Sequence, residues 1–251
     1  MFYSKKFKKF YNLKHCFFSR KGGFSRGLYK GLNCGRGSKD KKKNIIMNLK
    51  KVAKKMSVKN NHLILMYQTH SNKVIEIKKN NYKKKIRADA MVTKMRGIAL
   101  GVVTADCVPI LVFDNQRKMI AAIHAGWKGA FKGIVSKVIK FMIKKGSKTK
   151  NITAVIGPAI SVKNYEVKKD FYKKFTRKDR TNHKFFKMGK EKLYFNLSSY
   201  VKSLILKSGV KKIEKIDVDT FDAKNKFFSA RRSKSLNHAD YGRNISIIML
   251  N

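Results

Sequence analysis

Apolar positions in this chain recur with two periods, and segments of the two kinds are interleaved from end to end. Ile45, Leu49, Val52, Ala53 and Met56 return every few residues, so residues 45–56 are predicted to form a helix with one buried face. Phe131, Ile134, Val135, Val138 and Met142 predict a second helix, with Gly146 as its stop. Two more are expected near 167–175 and 200–207. Short β-rich runs predict strands near 63–67, 74–77, 119–123, 152–156, 213–218 and 245–250. Interleaved helices and strands of these lengths define a mixed α/β protein.

One stretch departs from the rest. Residues 97–116, GIALGVVTADCVPILVFDNQ, contain no Lys or Arg, in a chain where 61 of 251 residues are basic. Two apolar runs flank Thr104-Ala105-Asp106 and Cys107, which reads as a buried strand, a polar bend and a second buried strand opened by Pro109. The next strand runs into His124-Ala125-Gly126-Trp127-Lys128-Gly129, where glycines permit close backbone approach.

Composition narrows the class. The chain is 43% apolar, enough for one hydrophobic core over residues 1–251, and its two prolines mark no linker. The N-terminal residues alternate Lys with aromatics and lack the apolar core of a signal peptide. The longest apolar stretch is interrupted by Asp106 and Pro109, so no membrane span is expected. Three cysteines, Cys16, Cys34 and Cys107, form no disulfide framework, and a cytoplasmic location is expected. The formal charge of +47 suggests nucleic acid, but 50 of the basic residues are Lys and 11 are Arg. They are spread along almost the whole chain as on a solvated surface, so no specific nucleic-acid partner is expected.

His70, Cys107 and His124 stand at the predicted ends of buried strands, and strand ends can converge in space. Two imidazoles and a thiolate suit Zn²⁺ with a fourth position open for water or substrate. Their intervals of 37 and 17 residues match no local zinc motif, and a buried Cys or a strand-end His is commonly just part of a core. Spacing alone leaves both readings open.

The words around these residues carry more. Ser19-Arg20-Lys21-Gly22-Gly23-Phe24-Ser25, Leu32-Asn33, Gln68-Thr69-His70, Ala88-Asp89-Ala90, Thr104-Ala105-Asp106-Cys107-Val108-Pro109 and His124-Ala125-Gly126-Trp127-Lys128-Gly129 are followed by Ile156-Gly157-Pro158-Ala159-Ile160, Tyr165-Glu166-Val167, Phe227-Phe228-Ser229, Arg231-Arg232 and Gly242-Arg243. Together, in this order and across nearly the whole chain, they resemble the YfiH-type laccase-domain family, which also carries the names polyphenol oxidase and purine nucleoside phosphorylase. The resemblance implies a single-domain layered α/β/β/α sandwich with mixed sheets and a metal site at His70, Cys107 and His124. It also implies phosphorolysis of adenosine, inosine or guanosine, cleavage of methylthioadenosine, and adenosine deamination. The chain departs from the family's pattern at Lys128, Ala230 and Asp219-Thr220, where Arg, an aromatic residue and Cys-Thr are usual.

Within that reading, purine nucleosides and phosphate are the expected partners of a monomer or homodimer. Cys107 and Asp106 are the expected catalytic residues, Asp106 serving either as a general base or as the group that orients a ligating His. Arg20, Arg231 and Arg243 are candidates for phosphate, with Arg232 a weaker one, because the guanidinium binds oxyanions bidentately. Asn33 is a candidate hydroxyl or phosphate contact and Gln68 a candidate for a substrate amide. Copper is the weaker alternative to zinc: six histidines without a His-x-His pair supply at most one centre. A non-catalytic polyanion-binding protein is the other rival, and it leaves the charge-free block around Cys107 without a purpose.

Overall fold

The computed structural model describes residues 1–189 and 191–251. Two sheets stack face to face. One has the strand order β1 (Leu13–Phe17), β13 (Asn244–Leu250), β5 (Ala99–Thr104), β2 (Leu63–Leu65). The other has the order β12 (Lys212–Lys215), β8 (Ile152–Ile156), β6 (Val108–Asp114), β7 (Met119–Ala125), β4 (Ala90–Thr93), β3 (Val74–Glu76). Both are mixed: β2 runs parallel to β5, while β6 is antiparallel to both β7 and β8. A small third sheet joins β9 (Glu166–Val167), β10 (Phe186–Met188) and β11 (Leu193–Phe195). The helices are α1 (Lys5–Lys8), α2 (Lys42–Lys55), α3 (Trp127–Phe131), α4 (Ile134–Lys144), α5 (Lys169–Lys178), α6 (Leu197–Lys207) and α7 (Ala230–Ser235).

Side chains that alternate along the strands sort the apolar residues into three layers. Ile110, Val112, Ala121 and Ile123 pack outward against Val135, Val138 and Met142 of α4 and Val201 and Ile205 of α6. Their neighbours Leu111, Phe113, Ile120 and Ala122 point the other way, onto Leu100, Val102, Ile248 and Leu250 of the four-stranded sheet. That sheet turns Ala99, Ile245, Ile247 and Met249 toward Val52, Ala53 and Met56 at the end of α2 and beyond it. The result is the α/β/β/α sandwich expected from the resemblance. Strands covered on both faces have no reason to carry charge, which explains the Lys-free block.

Several predicted boundaries shift for local reasons. The helix expected over 131–142 is two, because Gly133 adopts a left-handed conformation (φ +83°) that breaks α3 from α4. Val167 belongs to β9, so the following helix begins at Lys169. β12 ends at Lys215 rather than 218. β1 and β4 escape pattern reading: β1 buries His15, whose Nε2 accepts the Ser4 amide, and β4 is only four residues long.

This topology positions the site. β5 lies in one sheet and β6 in the other, so the bend at 105–107 is where the chain passes between layers. His124 pairs with Pro109 across the β6–β7 ladder, next to that bend.

Candidate metal centre

One ligand atom each from His70, Cys107 and His124 lies within 4.8 Å of the others, and among the described residues this is the cluster of metal-ligating type. Cys107 Sγ stands 3.8 Å from His70 Nε2, and the two imidazole rings meet edge to face with centroids 4.7 Å apart. Gly126 forms the floor. A Cβ there would stand 2.8 Å from His70 Cδ2 and 2.9 Å from Cys107 Sγ, so only glycine leaves the three donors their space. Two nitrogen donors and a soft sulfur, gathered this tightly with one side open, fit a metal ion.

His70 does not end a strand as expected. β2 stops at Leu65, and the Gln68 carboxamide then imitates a strand residue: its Nε2 donates to Val103 O (2.7 Å) and its Oε1 accepts from Val103 N (2.8 Å). Each end of that amide keeps one further N–H or lone pair, and Gln68 lines the narrower of two cavities at the cluster. His70 follows on a bend with φ +56°, a conformation costly for a residue with a Cβ and found where the surroundings enforce it.

The enforcing group is Asp89, wholly buried just before β4. Its Oδ1 accepts from the His70 amide (3.0 Å) and from His124 Nδ1 (2.8 Å). Its Oδ2 accepts from the amide and hydroxyl of Ser71 at 2.7 and 2.6 Å. One carboxylate thus fixes the backbone of one ligand and the ring of another, leaving His124 Nε2 for the metal. Burial by itself would raise this carboxyl, but the donors from His124 and Ser71 hold it well below the usual carboxylate range. The orienting role considered for Asp106 is therefore filled by Asp89. Its sequence signal was the word Ala88-Asp89-Ala90 within the family resemblance, to which no role was attached.

Asp106 instead accepts from Thr220 Oγ1 (2.8 Å) and from the Arg231 amide in the first turn of α7 (2.7 Å). Burial pushes its carboxyl upward. With φ +85° it makes the sharp turn that presents Cys107. Burial also opposes ionisation of Cys107, but the adjoining imidazoles of His124 and His70 outweigh it and bring the thiol down to about 7. His124 is moved the opposite way: burial lowers it, while Cys107 and Asp89 raise it to about 9.

The other thiols differ. Cys16 and Cys34 are fully buried, and burial pushes Cys16 up to about 11 and Cys34 higher still. In metal-stripped protein at pH 7.5, limiting iodoacetamide is expected to modify Cys107 first, and added metal to protect it. Peptide mapping that found Cys16 or Cys34 alkylated as fast would contradict the assigned environment.

Two cavities meet at Ala105, Cys107 and Tyr241. The wider, about 570 Å³, has an apolar wall of Ile160, Tyr165, Leu197 and Ala230, with Asp106 and Arg231 beside it. Arg231 lies over the Tyr165 ring and donates to Glu166 O. The narrower, about 320 Å³, contains His70, His124, Tyr67, Arg36 and Arg243. Tyr67, half exposed, and Arg36 were not singled out from the sequence, although Arg36 is a rare guanidinium between two glycines.

Three expected contacts lie elsewhere. Arg20 packs over Phe228 and lines neither cavity. Arg232 donates to the carbonyls of Thr220, Phe221 and Phe227, holding a loop. Asn33 is fully buried and saturated, its Nδ2 donating to Ser38 and Asp40 and its Oδ1 accepting from the Gly35 and Arg243 amides. Its part is to shape the loop rather than to touch a ligand.

Fold and site together define a class: an α/β/β/α protein with a His/Cys/His cluster where its two sheets exchange strands. The chain belongs to the family described as multi-copper polyphenol oxidoreductase laccase, whose profile matches residues 14–251. A Rickettsia conorii protein named purine nucleoside phosphorylase is 36% identical over 211 residues, covering 82% of this chain and 86% of its own. A Bacteroides thetaiotaomicron protein of the same name is 32% identical, with 88% and 87% covered. Among solved structures, Bacillus licheniformis YfiH superposes with a TM-score of 0.89 at 28% identity, covering 95% of this chain and 93% of its own.

Proposed function

We propose that residues 1–251 act as one zinc-dependent purine nucleoside phosphorylase. The observation that carries this reading is the placement of the His70, Cys107 and His124 cluster where an apolar-walled cavity meets one lined by arginine. The names of the curated relatives support it. In the reaction, a phosphate oxygen bonds to the ribose anomeric carbon as the carbon–nitrogen bond breaks, the bonding pair leaving with the purine and ribose 1-phosphate forming. Tyr165, Ile160 and Leu197 offer the apolar surface a purine stacks against. Arg243 and Arg231 supply charge for the anionic reactant. Asp106 holds the Cys107 bend to α7 and so keeps Arg231 at the cavity edge. His70, Cys107 and His124 would hold Zn²⁺, which would supply Lewis acidity at the site. Methylthioadenosine is a further substrate, and adenosine deamination a weaker activity. The free thiols fit a cytoplasmic enzyme.

Phenol oxidation with copper is the reading suggested by the family description. The remaining histidines speak against several copper centres. His15 accepts from Ser4 N, His62 packs on Tyr82, His183 contacts Arg180 O, and His238 lines the wider cavity. Elemental analysis of purified protein is expected to find about one zinc per chain and negligible copper. Stoichiometric copper, with phenol oxidation that survives zinc chelation, would reverse the assignment.

Product analysis tests the activity. With adenosine, inosine and methylthioadenosine, free base and the sugar 1-phosphate are expected only when phosphate is present. Arg243→Ala is expected to depress that reaction far more than any phosphate-independent deamination. Absence of turnover by zinc-loaded protein would refute the activity while leaving the metal site intact.

A further inference from the structure

We propose that Arg36 and Arg243 together form the phosphate-binding clamp of the narrower cavity, with Arg36 the residue that sets phosphate affinity. This rests on the phosphorylase reading and deepens it. In a chain with 61 cations and 14 acids, an unpaired cation is unremarkable, so exposure of Arg36 argues little. Three other observations argue more.

The first is identity. Lysines outnumber arginines 50 to 11 in the whole chain, yet among the described residues both Lys/Arg cations lining this cavity are arginines. Arg presents a planar fork that matches two phosphate oxygens, whereas Lys is a point charge. The second is the lining: among the described residues no Asp or Glu lines the narrower cavity, whereas Asp106 and Asp240 line the wider one. Arg243 Nη2 makes only a long ion pair with Asp240 Oδ1, at 3.9 Å and without a hydrogen bond, and its Nη1 donates to Tyr241 O. An anion entering the narrower cavity meets two arginines, the two histidines and Cys107 of the metal-ligating cluster, with no carboxylate in the described lining.

The third is preorganisation. The Cys34 amide donates to Arg243 O (3.0 Å), and Asn33 Oδ1 accepts the amides of both Gly35 and Arg243 (3.0 and 2.9 Å). A Cβ on Gly35 would stand 2.6 Å from Arg243 Cδ, so glycine lets the Arg243 side chain lie directly on the loop backbone. Beneath them, Asp40 Oδ2 accepts from Ser25 and Asn33, and Asn48 donates to Ser25 and to Asn33 O, a buried network that fixes the loop. The two guanidinium-bearing segments are thus joined before any ligand arrives, which lowers the ordering cost of binding.

Steady-state kinetics with inosine and varied inorganic phosphate test the clamp. Arg36→Gln is expected to raise the phosphate KM by about ten- to hundredfold, the range a charge-assisted hydrogen bond commands, with the loss concentrated in KM rather than kcat. Arg36→Lys should recover part of it. Lys42→Gln, a nearby surface change outside this cavity, should leave the phosphate KM as in wild type. An unchanged phosphate KM in Arg36→Gln would overturn the clamp, as would an equal rise in Lys42→Gln, which would mean diffuse charge. Should the wild-type protein turn over no nucleoside, calorimetry with inorganic phosphate on metal-loaded protein decides the clamp separately. Binding lost in Arg36→Gln but kept in Lys42→Gln supports it while the phosphorylase reading fails; binding alike in all three, or absent in wild type, overturns it.

Discussion

Cys107→Ser is expected to lower metal content from about one ion per chain to near zero and to abolish nucleoside turnover, with the fold retained. The thiol is the only anionic donor of the three. It stands beside two imidazoles that bring it down to about 7, so a thiolate is available near neutral pH. A serine hydroxyl stays protonated there, is hard where the site is soft, and leaves two neutral imidazoles to hold a dication. Loss of an outer hydrogen bond to a ligand costs about 10–100-fold in metal affinity or activity, and loss of a ligand should exceed that. Cys16→Ser and Cys34→Ser are the controls: they sit in the layer between α2 and the four-stranded sheet, so they should lower thermal stability without removing metal. Full metal content and activity in Cys107→Ser would mean that the cluster is not the site.

Asp89→Ala is expected to be the more damaging change to the protein as a whole. The carboxylate is entirely buried and answers the His70 amide, the His124 ring and both donors of Ser71. Removing it strands these donors and releases the enforced φ of His70. Breaking a buried charged pair of this kind costs about 3–5 kcal/mol, a large share of the roughly 5–15 kcal/mol that holds a domain folded. Asp89→Asn separates the two roles. It keeps the size and one acceptor oxygen, so folding should survive, while metal affinity falls about 10–100-fold because His124 loses its charged partner. Thermal melting and competition with a chelator read the two effects independently. Wild-type metal affinity in Asp89→Asn would show that the carboxylate serves the fold alone.

Of the metal-ligand candidates, Cys107 was legible because it interrupts a pattern, whereas His70 and His124 lie outside the Lys-free block and stood out only at predicted strand ends. A Lys-free block in a Lys-rich chain marks strands buried on both faces, and polar residues inside such a block stand out. The two-period alternation likewise announced an α/β protein, since 3.6- and 2-residue repeats need no knowledge of partners. The resemblance added what the periodicities could not, the layered arrangement and the grouping of His70 with Cys107 and His124.

Side-chain commitments were not legible, because they depend on distance rather than order. Asn33 and Arg232 carry groups suited to ligands, and only tertiary contacts with the 35–40 loop and with the 220–227 loop show those groups engaged within the protein, while Gln68 divides its amide between Val103 and a cavity. Asp89 and Asp106 are both acids near the site in the fold, yet one holds the ligands and the other holds α7, a choice made by the bends at 69–71 and 105–107. Arg36 shares a cavity with Arg243, which lies more than two hundred positions away in sequence, because the Asn33 amide oxygen ties the amide of its neighbour Gly35 to that of Arg243. Amino-acid order by itself determined which segments are buried and which residue types were available for chemistry. Chain crossing between the sheets decided which of them meet, since convergence is set by long-range packing that no local spacing encodes.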